Sequence, residues 1–201
     1  GQVSPARFIP IAEDLGLMDM IGEWVLRSAC GWATRWPAHV GISVNLSPSQ
    51  LLNPRFPGVV LHALAVYGIA PERLELEVTE NIFLNENDAM RGALDHLARL
   101  GVRIGLDDFG TGYSSLAYLK HWRFDFLQID RTFVRDLVTD PSDLAIVGAI
   151  VAMARHLEIP VIAEGIEGWQ QLEKLRELGC RLAQGYLLAR PAPAADCARY
   201  L

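Results

Sequence analysis

Carboxylates and carboxamides recur in this chain at one kind of place, the end of a short apolar, β-branched run. Asn45 closes Ile42-Ser43-Val44-Asn45, and Glu77 and Glu80 close Leu76-Glu77-Val78-Thr79-Glu80. Asp107 and Asp108 close Ile104-Gly105-Leu106-Asp107-Asp108. Gln128 and Asp130 close Leu127-Gln128-Ile129-Asp130, Glu164 and Glu167 follow Val161-Ile162-Ala163, and Gln184 ends the last run. Scattered surface acids would not fall at the same place so regularly. Gathered in one mouth, these groups would repel one another unless a cation sat among them. Hard oxygen donors of this kind suit Mg²⁺, Mn²⁺ or Ca²⁺ rather than zinc. Two such ions can activate a water and hold the oxygens of an in-line displacement at phosphorus. Asp107 and Asp108 could each serve a different ion, because successive residues of a strand point to opposite sides. Metal-dependent hydrolysis of a phosphodiester is the reaction class these residues suit.

Asp108-Phe109-Gly110-Thr111-Gly112-Tyr113-Ser114-Ser115 follows a strand pattern and precedes a helical one. Beside two aspartates this glycine turn reads as a functional loop. Other chemistries find less support. No histidine pair has the H-E-x-x-H spacing, and no C-x-x-C is present. Three widely spaced cysteines (Cys30, Cys180, Cys197) point to reduced thiols in a cytosolic compartment and against a disulfide framework. A net charge of −6 leaves no basic footprint for nucleic acid. The apolar run from Ile146 to Ala154 is interrupted by Gly148 and falls short of the roughly 20 residues that span a bilayer. We therefore expect a cytoplasmic domain without membrane contact of its own. Gly1 does not look like a natural start, so any membrane tether would lie upstream. Trp24, Trp32 and Trp36 share a rough helical spacing and read as core or interface.

The elements that must position the acids follow from periodicity. Strands are expected near Gly41–Asn45, Leu74–Thr79, Val102–Asp107, Phe126–Asp130, Pro160–Ala163 and Arg181–Gln184. Helices are expected over Glu23–Trp36, Pro57–Tyr67, Asn87–Leu100, Ser115–His121 running on to Val134–Leu137, Asp143–Leu157 and Trp169–Leu178. Gly101 and Gly179 stand where left-handed C-caps are common, and Pro141-Ser142-Asp143 opens a helix in the usual way. Residues 8–13 read as a loop leading into a helix. Strict alternation predicts an α/β fold with a parallel sheet. A dinucleotide-binding Rossmann fold is disfavoured, since no G-x-G-x-x-G is present. About six β–α units are visible where a closed (β/α) barrel counts eight, so we expect a TIM-like barrel whose first strands are missing. No linker divides the chain, and residues 1–201 are read as one domain.

Five blocks, in order, resemble the EAL domain family: Ser43-Val44-Asn45-Leu46-Ser47, Glu77-Val78-Thr79-Glu80-Asn81, Leu106-Asp107-Asp108-Phe109-Gly110-Thr111-Gly112, Ala163-Glu164-Gly165-Ile166-Glu167 and Gln184-Gly185-Tyr186. The resemblance implies a barrel phosphodiesterase of bacterial signalling that opens one ester of cyclic di-GMP to give linear pGpG, using Mg²⁺ or Mn²⁺. It implies metal ligands at Asn45, Glu77, Asp107 and Asp108, and a general base or water partner at Glu164. Glu80 matches the glutamate that steadies the Asp108–Ser115 loop. Glu167 and Gln184 match residues lining the substrate mouth, and Asp130 matches an aspartate on the guanine side. A homodimer is the expected assembly. Two departures stand out. The Glu-Ala-Leu signature sits upstream of Pro5 in the family and is not in this chain. The family's Lys-x-Asp reads Gln128-Ile129-Asp130, which brings an amide where a positive charge is expected. Activity of the chain as given is therefore expected to be absent or weak. The alternative is a degenerate domain that binds cyclic di-GMP, or serves as a scaffold, without catalysis.

Overall fold

The structure is a computed structural model that describes residues 3–84, 88–111 and 117–200. In chain order come α1 (Pro5–Asp14), α2 (Met18–Ala33), β1 (Ile42–Asn45), α3 (Pro48–Leu52), α4 (Phe56–Tyr67) and β2 (Leu74–Thr79). Then follow α5 (Asn81–Leu84), α6 (Asp88–Arg99), β3 (Arg103–Phe109), α7 (Ala117–His121), β4 (Phe126–Ile129) and α8 (Arg131–Arg135). The chain ends with α9 (Pro141–His156), β5 (Val161–Ala163), α10 (Trp169–Leu178), β6 (Leu182–Ala183) and α11 (Ala194–Cys197). Each strand falls inside or within two residues of its expected run.

The chain forms two compact units, one of residues 1–78, 86–103 and 198–201, the other of residues 79–85 and 104–197. In the first, β1 and β2 pair in parallel from Ile42↔Leu74 to Asn45↔Glu77. Alternation sends Ile42 and Val44 inward and leaves Ser43 and Asn45 on the open face. Leu26, Cys30 and Ala33 of α2 are buried, as are Val60 and Ala63 of α4. Gly68 closes α4 in the left-handed conformation, φ 63°. Residues 8–13 are not a loop: with Pro5 in its first turn the segment is already α1, which runs through Pro10. Trp24 is exposed rather than part of the core.

In the second unit β3, β4, β5 and β6 pair in parallel in chain order. β4 is buried along its whole length, as a strand covered on both faces must be. α9 begins at Pro141 after Asp140, whose carboxylate accepts from the Ser142 N–H at 2.7 Å. α10 ends at Gly179 with φ 93°, the expected left-handed cap. Among the described residues no helix is long and apolar enough to cross a membrane. Cys30, Cys180 and Cys197 carry free thiols.

Gly105 of β3 faces its register partner Phe126, whose ring is 1% exposed. A methyl group at 105 would overlap that ring, and neither strand can move without breaking the ladder. Gly105→Ala is expected to destabilise the chain by about 1–3 kcal/mol, read as a lower denaturation midpoint at unchanged m-value.

Candidate functional site

The site begins at an irregularity in β3. Leu106 pairs with Leu127 and Phe109 with Ile129, so Asp107 and Asp108 together stand opposite the single residue Gln128. This is a β-bulge, and Asp108 takes it up in the left-handed region at φ 53°. Aspartate tolerates that conformation better than most residues. The Asp108 N–H donates to Asp107 Oδ1 at 2.8 Å, fixing the turn. The consequence overturns one expectation. The two aspartates do not point to opposite sides: one carboxylate oxygen from each, with one from Glu164, lie within 4.8 Å of one another.

Their electrostatics fit this crowding. Burial pushes the Asp107 carboxyl up, and the charge of Asp130 adds to it, while the Asp108 N–H works the other way. Asp108 is pushed up to about 6, first by burial, then by the Asp107 charge and by a hydrogen bond to Asp130. Burial opposes ionisation of Asp130, yet the hydroxyl and N–H of Thr132 and the bond from Asp108 bring it down. Asp130 thus caps α8 by accepting from the Thr132 N–H and is hydrogen-bonded to Asp108.

Glu164 follows β5. Its Oε1 accepts from Gln128 Nε2 at 2.8 Å and from Gln184 Nε2. Gln184 is placed by a close crossing of two loops. Its carbonyl accepts from Ile166 N at 3.1 Å, and Leu187 N donates to Ile166 O at 2.9 Å. Gly185 permits that approach, because a Cβ there would collide with the Ile166 backbone. Glu167 is exposed and is not one of the three clustered acids; its N–H donates to Gln171 Oε1 at 2.8 Å. In the other unit Asn45, the last residue of β1, is the register partner of Glu77 in β2, the glutamate buried and the asparagine exposed.

Glu80 is buried just beyond β2 and accepts from Tyr118 Oη at 2.7 Å. Gly112 to Ser115 of the glycine turn lie outside the described residues; Tyr118, on α7, is the first described side chain after them. Burial and the Glu80 carboxylate hold its phenol well above the ordinary tyrosine range. The Phe83 ring stacks on it at 5.3 Å. Nothing in the sequence links positions 80 and 118. Tyr118→Phe, which deletes a donor to a buried carboxylate and little else, is expected to cost about 1.5–3 kcal/mol in chemical denaturation.

The EAL domain pattern matches residues 1–191. The chain is 45% identical over 198 residues to the bifunctional diguanylate cyclase/cyclic di-GMP phosphodiesterase MucR of Pseudomonas aeruginosa, covering 96% of this chain and 29% of that protein. It spans about a quarter of the length of the curated relatives it matches. The structure of the PaMucR phosphodiesterase in complex with c-di-GMP is 44% identical, with a TM-score of 0.93 over 98% of this chain and 81% of that one. A manganese and cyclic di-GMP complex of BlrP1 from Klebsiella pneumoniae is 31% identical, with a TM-score of 0.81 over 87% of this chain and 45% of that one. The fold class is therefore the expected α/β one, of the TIM-like (β/α) barrel kind.

Proposed function

This chain belongs to the EAL domain family, and from that premise we propose that residues 1–201 form one domain that binds cyclic di-GMP and, with Mg²⁺ or Mn²⁺, hydrolyses one of its phosphodiesters to linear pGpG. The observation that carries this reading is the gathering of Asp107, Asp108 and Glu164 oxygens within 4.8 Å. Three hard donors this close, one of them raised to about 6, suit a divalent cation that replaces the shared proton. Bound there, such an ion polarises the ester and supplies activated water.

The chain's own residues take the remaining roles. Asn45, Glu77, Asp107 and Asp108 are the metal ligands. Glu164, oriented by Gln128 and Gln184, is the general base. Gln184, Glu167 and Asp130 line the substrate mouth, with Asp130 on the guanine side. Glu80 steadies the segment after β3 through Tyr118. Gln128 brings no positive charge, so turnover is low. The domain is cytoplasmic, contacts neither nucleic acid nor membrane itself, and pairs as a homodimer.

A second reading has one observation in its favour. A neutral amide stands at position 128, which suits a domain that binds cyclic di-GMP without cleaving it. Calorimetry with cyclic di-GMP followed by a hydrolysis assay with Mn²⁺ separates the two. Binding with slow, metal-dependent release of pGpG supports the enzyme. Binding without any product supports the second reading, and no binding refutes both.

A further inference from the structure

Gln128 is the polar residue of an otherwise apolar strand, and it is 2% exposed. Its Nε2 donates to Glu164 Oε1. Its Oε1, equally buried, has no hydrogen-bond partner among the described residues. A buried acceptor without a donor costs free energy, and a site that keeps one commonly holds a water or an ion there. Reversing the amide does not relieve it. That would set the carboxamide oxygen against Glu164 Oε1, which also accepts from Gln184, and would bury two N–H donors in place of one acceptor. The orientation is therefore fixed by the carboxylate. Through the bulge in β3, Gln128 stands directly opposite both Asp107 and Asp108. The orphaned oxygen thus belongs to a residue that bonds Glu164 and stands in register with the other two acids of the cluster.

We propose that Gln128 Oε1 is a further hard-oxygen donor to the divalent cation of this site, directly or through one water, so that the chain holds the ion more tightly than it would with lysine at 128. The inference rests on the metal reading given above. A carboxamide oxygen adds a ligand dipole without adding charge. An ammonium in its place would remove that acceptor, repel the cation, and pair with the Glu164 carboxylate. With charges a few ångströms apart and an effective dielectric near that of partly buried sites, this amounts to a loss of affinity of about a hundredfold or more.

The test is a calorimetric Mn²⁺ titration of metal-stripped chain without nucleotide, for the parent, Gln128→Lys and Gln128→Met, with thermal melts to verify folding. Methionine removes the oxygen at similar volume and without charge, so it decides the question even if the lysine variant fails to fold. Gln128→Met is expected to weaken binding about three- to tenfold, less than Gln128→Lys. Either folded variant binding Mn²⁺ as tightly as the parent overturns the proposal. No Mn²⁺ binding by the parent overturns the metal site itself, and this inference with it.

Discussion

Gln128→Lys raises cyclic di-GMP turnover by about 10²–10³ in a chain that carries the family's Glu-Ala-Leu segment upstream of Pro5. Position 128 is the place to add charge because of what surrounds it. Its side chain is buried, bonds Glu164, and stands opposite the Asp107–Asp108 bulge. Negative charge that builds up on the ester oxygens during displacement meets three carboxylates here and no cation from β4. A lysine would supply that cation, already oriented by Glu164, in a region of low effective dielectric where a fixed charge acts most strongly. The gain should lie in kcat, since the lysine meets the additional negative charge that develops on the ester oxygens only in the transition state. It must be read at saturating Mn²⁺, because the same substitution is expected to weaken metal binding; at limiting metal the two effects oppose each other. Steady-state rates on both forms provide the check, and equal, robust turnover in the two would refute this view of position 128.

The parts of the site visible in the sequence are those set by local periodicity. Polar residues at the ends of apolar runs point to Asp107, Asp108, Gln128, Asp130 and Glu164, because strand side chains alternate and the run's end fixes which residue meets the open rim. Gly179 revealed its helix end because only a residue free of a Cβ rests easily at φ 93°. What escaped depends on partners distant in the chain. Whether Asp107 and Asp108 splay or converge is decided by the register against β4, where two residues face Gln128 alone. The Tyr118–Glu80 bond joins positions 38 residues apart. The orphaned oxygen of Gln128 exists only because Glu164, 36 residues on, claims the other end of the amide. Residues 8–13 read as a loop because Phe8-Ile9-Pro10 looks extended, yet a proline in the first turn, Pro5, favours a helix start.

Asp108→Asn is expected to stabilise the metal-free chain and to abolish its response to Mn²⁺. Asparagine tolerates the left-handed backbone as well as aspartate does, so the bulge at φ 53° should survive, and its Nδ2 can donate to Asp130, keeping the hydrogen bond between the two side chains. Because the folded Asp108 carboxyl is raised to about 6, above its ordinary value of 3.8, the folded state holds a proton that the unfolded chain releases. Stability therefore falls as pH rises through that interval, and the full cost is present above about pH 6. The variant lacks this charge, so its melting temperature should exceed the parent's at pH 8 and converge on it near pH 4. Mn²⁺ reverses the order. At a hundredfold excess over Kd the parent gains about 2.7 kcal/mol, or roughly 5–10 °C for a chain of this size. That gain grows above pH 6, because the ligand must give up its proton to bind. Thermal melts of both proteins at pH 4, 6 and 8, with chelator and with Mn²⁺, decide it. A variant that keeps the parent's full metal shift, or that is less stable than the parent at pH 8 without metal, would show that Asp108 is neither strained by its neighbours nor a ligand.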